Sequence, residues 1–205
     1  MTAEQDFDAL AARLRGALNA LSVAASEPAE AVAGDARVAA VLIPLVVHQA
    51  GVSLLFTRRS ERLRHHAGQI SFPGGRVEAG DASVEHAALR ETREEVGIDP
   101  SEVIVLGRLS PVHVPSGFTI HPVLGLLNAP LSLTPDPVEV AQIFEVPLAH
   151  LVRSQHYQTH RMVRPGGEFQ VDALAYQGFF IWGATARILV RARPWLETSL
   201  RVVSG

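Results

Sequence analysis

The sequence predicts a mixed α/β domain, and three observations carry that expectation. Apolar, β-branched runs recur at 38–48, 51–59, 102–109 and 118–127; helical patterns occupy 6–21, 82–96 and the segment after Gly183. The chain has 205 residues, 47% of them hydrophobic and 19% charged, enough to bury a core as one compact soluble unit. Periodicity leaves both α/β and α+β open, and no internal repeat is visible.

The elements follow in order. Residues 6–21 place Phe7, Leu10, Leu14, Leu18 and Leu21 on one helical stripe. The polar face carries little basic charge, so this is a packed helix or a subunit contact rather than a membrane anchor. Residues 22–37, rich in Ala, Ser, Glu, Pro and Gly, read as a connector. The expected division is therefore 1–36, an amphipathic helix and connector packed on the domain, and 37–205, the domain proper. Val38–His48 reads as a buried strand interrupted at Pro44, and Gly51–Arg59 as a second strand after a Gln-Ala-Gly turn.

Residues 60–69 hold Arg62, Arg64, His65 and His66 without apolar periodicity, which makes them a basic loop. A helix over 82–96 follows, with Asp81 as the expected N-cap and Gly97 as the left-handed terminator. Glu102–Leu109 and Phe118–Leu127 read as strands joined by a Ser110–Gly117 loop, and 128–137 as a proline-rich loop. Residues 157–177 read as a hairpin around Pro165-Gly166-Gly167. Trp182 is expected in the core rather than stacked on a base, and Pro194 should stop or kink the last helix.

Composition excludes several classes. Without cysteine there are no disulfides, thiolate metal sites or cysteine nucleophiles, in keeping with a cytoplasmic location. No apolar run approaches the ~18 residues of a membrane span, and the N-terminus lacks a signal pattern. Net charge is −3, so nothing argues for a nucleic-acid partner. All eighteen positive side chains are arginine, the type suited to forked phosphate contacts, although a GC-rich coding bias also explains that choice. The expected partner is a small molecule, with monomer and homodimer both open.

Chemistry concentrates in Phe72–Ile98, FPGGRVEAGDASVEHAALRETREEVGI. Glu91, Glu94 and Glu95 project from one helical face, where like charges call for a cation. Arg90 reaches Glu94 at i+4 and leaves Glu91 and Glu95 freer for a metal. Oxygen-only ligation points to a hard ion, Mg²⁺ or Mn²⁺. Gly74 and Gly75 allow close backbone approach, with the Gly75 carbonyl facing the metal and nearby N–H groups facing phosphate. A solvated acidic face beside an ordinary glycine turn is the plainer alternative. A histidine metal site at His65-His66 is disfavoured: adjacent histidines diverge, and no third ligand is suitably spaced.

Together these residues resemble the Nudix box. Gly75 is followed by five residues, Asp81 stands where the pattern has Glu, eight residues intervene rather than seven, and Arg90-Glu91-Thr92-Arg93-Glu94-Glu95-Val96-Gly97-Ile98 closes it, with Thr92 at the hydrophobic position. Asp81 and the extra residue fit the coenzyme A pyrophosphatase subfamily. Its second signature is similar to Leu54-Leu55-Phe56-Thr57-Arg58-Arg59-Ser60, then Arg64, Gly68 and Phe72-Pro73-Gly74-Gly75. The SPVHVPSG loop, the FEVPL element after Glu139 and the Phe180–Ile188 segment resemble further family segments.

The resemblance implies a Nudix α/β/α sandwich, a mixed β-sheet between helices, and hydrolysis of coenzyme A to 4′-phosphopantetheine and adenosine 3′,5′-bisphosphate. It implies Glu91 and Glu95 as principal metal ligands, Glu94 as accessory ligand or base oriented by Arg90, and Glu139 as outer ligand or base. Arg58, Arg59 and Arg64 become phosphate contacts, with Gly74 beside them. The alternatives are another dinucleotide substrate such as ADP-ribose or NADH, and a non-catalytic binding module, against which the intact glutamates speak. Glu145 is expected to face solvent.

Overall fold

A computed structural model of the chain describes residues 3–24, 37–164 and 167–204. The expected connector lies almost wholly outside these residues, as do Pro165 and Gly166 of the expected hairpin turn. In chain order the elements are α1 (Ala3–Ala24), β1 (Arg37–His48), β2 (Gly51–Arg59), β3 (Ile70–Ser71), β4 (Gly74–Arg76), α2 (Val84–Val96), β5 (Ile104–Arg108), β6 (Val112–Val114), β7 (Phe118–Asn128), β8 (Val140–Pro147), α3 (Leu148–Leu151), β9 (Tyr157–Arg164), β10 (Gly167–Tyr176), β11 (Phe179–Trp182) and α4 (Gly183–Ser204).

The main sheet is mixed. Its path is β3-β2-β1-β7-β5, with β4 on β1, β6 on β7 and β8 on β2. β1 and β7 run parallel from Arg37↔Phe118 to Val47↔Asn128, and the other pairs are antiparallel. Strand alternation sends Leu42, Val46, Leu55, Val123 and Leu127 to one face, where they meet Ala87, Ala88 and Val96 of α2. Ile43, Leu45, Leu54, Phe56, Leu124 and Leu126 take the other face, against Leu14 and Leu18 of α1 and Leu189, Trp195 and Leu196 of α4. Helices thus cover both faces, the α/β/α sandwich.

The smaller antiparallel sheet, β11-β10-β9, contributes Leu174 and Ile181 to the α1/α4 side. An aromatic file ties it to the centre: Phe179 stacks on Phe144 (3.7 Å between centroids), Phe144 on Phe56 (5.6 Å) and Phe56 on Phe72 (4.7 Å). Phe72 is 2% exposed. Burying such a ring contributes about 2–3 kcal/mol and fixes the chain immediately before Pro73-Gly74.

Four sequence expectations change. Pro44 does not interrupt β1. It lies where β1 passes from β4 (partners of 39–41) to β2 (partners of 45–48), so the missing N–H removes no bond of those ladders. The 110–117 loop contains β6, which exists through its hairpin register with β7, Val112↔Ile120 to Val114↔Phe118. Pro194 does not stop α4, because Trp195, Leu196, Leu189 and Ala192 around it are buried and hold the helix on the sheet. Glu145 is half-buried rather than facing solvent. The register Leu55↔Glu145 puts it on the face of Ser53, whose hydroxyl donates to it, and His48 Nε2 lies 2.7 Å from Oε2.

Candidate active site

The helix that bears the carboxylates starts later than expected. Ser83, in extended conformation, accepts the His86 N–H at 3.2 Å and caps α2, whereas Asp81 is drawn elsewhere. The C-terminus is as read: Gly97 adopts φ 82° and its N–H returns to Arg93 O.

Arg90 organises the helix surface. It makes a two-point contact with Asp81, Nε to Oδ1 and Nη2 to Oδ2, both 3.0 Å. Nη1 also reaches Glu91 Oε1 and Glu94 Oε2 at 3.0 Å each, and Nη2 the Arg76 carbonyl at 3.2 Å. Hydrogen bonding to Arg90 holds the Asp81 carboxyl well below its usual range, and Asp81 in turn holds the Arg90 guanidinium firmly protonated. Asp81 therefore fastens the turn before the helix to the residue that orients two glutamates. Its spacing of nine from Arg90 is too wide for a helical rule to reveal.

The glycine turn meets the opposite edge of the same face. β4 pairs with β1 as Ala40↔Gly75 and Val41↔Gly74, and the Pro73 carbonyl accepts from Leu42 N at 2.9 Å. Gly74 has φ 150°, with the Ala40 carbonyl and Val41 Cα where a side chain would stand. Its N–H donates to Glu95 Oε2 at 3.1 Å. The Glu91 carboxylate lies against Gly75, occupying the space of a missing Cβ.

Glu95 is 3% exposed, and burial pushes its carboxyl up to about 7. The Gly74 N–H and Arg59, whose Nη1 lies 3.4 Å from Oε1, oppose that rise; the charges of Glu139 and Glu91 add to it. Burial likewise raises Glu91, Arg90 opposes, and Glu94 and Glu139 add. Glu139 thus bears on both carboxylates from another element. It stands in a turn, with its N–H on Asp136 O at 3.2 Å and its carbonyl accepting Ser60 N at 2.8 Å. The same segment is tied to the end of α2, since Thr134 and Asp136 donate to the carbonyls of Val96 and Glu95.

Not every sequence-selected residue gathers here. Glu91, Glu95, Glu139, Gly74, Gly75 and Arg59 come together. Glu94 lies at the exposed edge on Arg90. Arg58 turns away and pairs with Glu61 at 2.9 Å, and Arg64 is exposed in the 60–69 loop. Among the described residues no three acidic or histidine side chains are posed to enclose an ion, because Arg90 occupies Glu91 and Glu94 while Gly74 and Arg59 occupy Glu95. The donor set nevertheless fits a hard divalent ion: it is all-oxygen, and its Glu91 and Glu95 carboxyls are raised by burial first and by neighbouring carboxylates second, both of which a bound cation would offset.

Residues 36–166 match the NUDIX domain family. The chain belongs to the Nudix family of hydrolases. It is 46% identical over 153 residues to the "Uncharacterized Nudix hydrolase NudL" of Citrobacter koseri, covering 75% of this chain and 79% of that one. A protein of the same name from Photorhabdus laumondii is 43% identical over 162 residues, 79% of this chain and 86% of its own. Among solved structures, a Nudix hydrolase from M. smegmatis, RenU, aligns with TM-score 0.48 and 22% identity over 56% of this chain and 72% of that chain. The protein is thus a Nudix pyrophosphatase acting on a nucleoside diphosphate derivative. Its Nudix helix is α2 and its Nudix turn is Gly74-Gly75. No helix among the described residues is long and apolar enough to cross a membrane.

Proposed function

We propose that this Nudix hydrolase cleaves the diphosphate linkage of coenzyme A to 4′-phosphopantetheine and adenosine 3′,5′-bisphosphate, using Mg²⁺ or Mn²⁺. The observation that carries the reaction class is the seating of Glu91 against Gly75 and of Glu95 on the Gly74 N–H, with the charge of Glu139 acting on both carboxylates. The choice of coenzyme A is supported by the Arg59-Ser60, Arg64, Gly68, Phe72–Gly75 signature in register with the box.

Glu91 and Glu95 would hold the ion, with Glu94 as accessory ligand and the Gly75 carbonyl as a neutral donor. When bound, such an ion supplies Lewis acidity toward the diphosphate and lowers the pKa of water. Arg90, fixed by Asp81, positions Glu91 and Glu94. Glu139, half-buried and outside the Arg90 network, is the base that takes the proton from the attacking water. One P–O bond forms to that water as the bridging P–O bond breaks. Arg64, exposed on the basic loop, would contact a peripheral phosphate such as the 3′-phosphate.

The test is product analysis of coenzyme A incubated with enzyme and Mg²⁺ or Mn²⁺. Both named products should appear, and dephospho-coenzyme A and ADP-ribose should turn over more slowly. Preference for ADP-ribose or NADH would assign a different substrate to the same Nudix site.

A further inference from the structure

The charge of Glu139 acts on Glu91 and Glu95, yet the sheet does not aim Glu139 at them. Along β2 and β8 the ladder pairs Leu54 through Arg58 with Val146 down to Gln142, one to one. It then slips, so that Arg59 faces Val140 and Ala141 is passed over. An extra residue in one strand breaks the alternation of side chains and re-aims those beside it. Glu139 lies just before β8, so its direction is set by the turn that leads into the strand.

That turn is held by polar contacts. Pro137 is exposed and Val138 is 63% exposed, so apolar packing does little for either. Asp136 supplies the contacts instead. Its Oδ1 accepts the Val138 N–H at 2.8 Å, closing a local turn over Pro137. Its carbonyl accepts the N–H groups of Glu139 at 3.2 Å and Val140 at 2.8 Å. Its own N–H donates to the Glu95 carbonyl at 3.0 Å. Val138, Glu139 and Val140 thus all direct their N–H groups at Asp136, and Asp136 is anchored on the backbone of a proposed metal ligand. On the far side the Ser60 N–H donates to the Glu139 carbonyl at 2.8 Å, which ties the turn to the start of the basic loop.

We infer that Asp136 is a positioning residue for the general base: its carboxylate fixes the turn that presents Glu139 to the site. The bond to Val138 needs an oxygen acceptor rather than a charge, and Asp136 itself contacts neither metal nor substrate. The inference rests on reading Glu139 as the base, and is independent of which nucleotide derivative is cleaved.

The experiment compares wild type with Glu139→Gln, Asp136→Ala, Asp136→Ser, Asp136→Asn and the Asp136→Ala/Glu139→Gln double variant. In Mg²⁺ buffer, kcat and KM are measured on whichever of coenzyme A, ADP-ribose and NADH wild type cleaves fastest. Mn²⁺ affinity is titrated calorimetrically, and thermal unfolding is run on each variant. Glu139→Gln should lose at least about 100-fold in kcat, the contribution of a general base. Asp136→Ala should lose at least about tenfold in kcat, since a misplacement of about 1 Å costs about 100-fold. Its KM and its Kd for Mn²⁺ should stay within about twofold, and its melting temperature within about 4 °C, of wild type. Asp136→Asn keeps the acceptor oxygen and should hold kcat within about threefold of wild type, with Asp136→Ser between asparagine and alanine. If the alanine variant does not fold, the order of asparagine above serine decides. The double variant should match Glu139→Gln within about twofold, because Asp136 acts through Glu139 alone. Additive losses in the double variant, weakened Mn²⁺ binding in Asp136→Ala, or asparagine no better than alanine or serine would overturn the inference. Wild-type kcat in Asp136→Ala beside a slow Glu139→Gln would overturn it alone, whereas wild-type kcat in Glu139→Gln would sink the choice of base and this inference with it. Turnover of ADP-ribose or NADH in place of coenzyme A would sink only the choice of substrate.

Discussion

Gly74 and Gly75 are adjacent and look equivalent, yet alanine at each should fail in a different way. At Gly75 φ is not in the left-handed region, and a new Cβ would stand 2.5–2.6 Å from the Glu91 carboxyl, the mobile end of a side chain. Ordinary contact is about 3.5 Å, so the carboxylate must retreat by about 1 Å. The fold tolerates that, and stability should change by less than about 1 kcal/mol. Catalysis should not tolerate it, because a 1 Å misplacement at a reacting centre costs about 100-fold. At Gly74 φ is 150° and the new Cβ would lie 2.4 Å from the Ala40 carbonyl and 2.5 Å from Val41 Cα, backbone that cannot step aside. Backbone strain and overpacking together cost about 3 kcal/mol, lowering the melting temperature by about 6–12 °C. Thermal unfolding beside Mg²⁺-dependent pyrophosphatase turnover separates the two. Gly75→Ala with wild-type turnover, or both variants equally unstable, would refute the placement of Glu91 against this turn.

Three further outcomes follow from the same geometry. Glu95→Gln should cut turnover at least about 100-fold. Because burial lifts the Glu95 carboxyl to about 7, its charge costs stability above that pH, so this variant should unfold at or above the wild-type temperature in EDTA at pH 8; a clear loss of stability contradicts the burial argument. Asp81→Asn should destabilise at pH 7. A carboxyl held low contributes stability in full above its ordinary value near 3.8 and loses it as pH falls through the lower folded value, so the gap between variant and wild type should shrink from pH 7 to pH 3; a constant gap contradicts the Asp81–Arg90 account. Leu18→Ala, at a 4% exposed position packed on Gly107, should cost about 2–4 kcal/mol with kcat unchanged, and a small loss would mean that α1 contributes little to the core.

Local chemistry made much of this legible from the chain. The carboxylate helix, its Gly97 terminator, the long strands and the glycine turn all follow from periodicity and backbone freedom within a few residues. What escaped depends on partners distant in sequence. Asp81 and Ser83 are equally good caps until Arg90 claims Asp81. Pro44 breaks a strand in isolation but not where β1 changes partners. β6 is three residues long and exists only beside β7. Glu145 looked solvent-facing until β8 paired with β2 and brought Ser53 and His48 to it.

The central claim is that the Nudix helix, docked behind its paired glycines, grips a hard cation for diphosphate hydrolysis. Anomalous diffraction from crystals soaked in Mn²⁺ addresses it most directly. The account predicts a peak bounded by carboxylate oxygens of Glu91 and Glu95 and the Gly75 carbonyl, at distances near the ~2.1 Å of a hard octahedral ion, with Arg90 drawn off Glu91. A peak elsewhere, or Glu91 and Glu95 still held by Arg90 and Gly74 at saturating Mn²⁺, would contradict it.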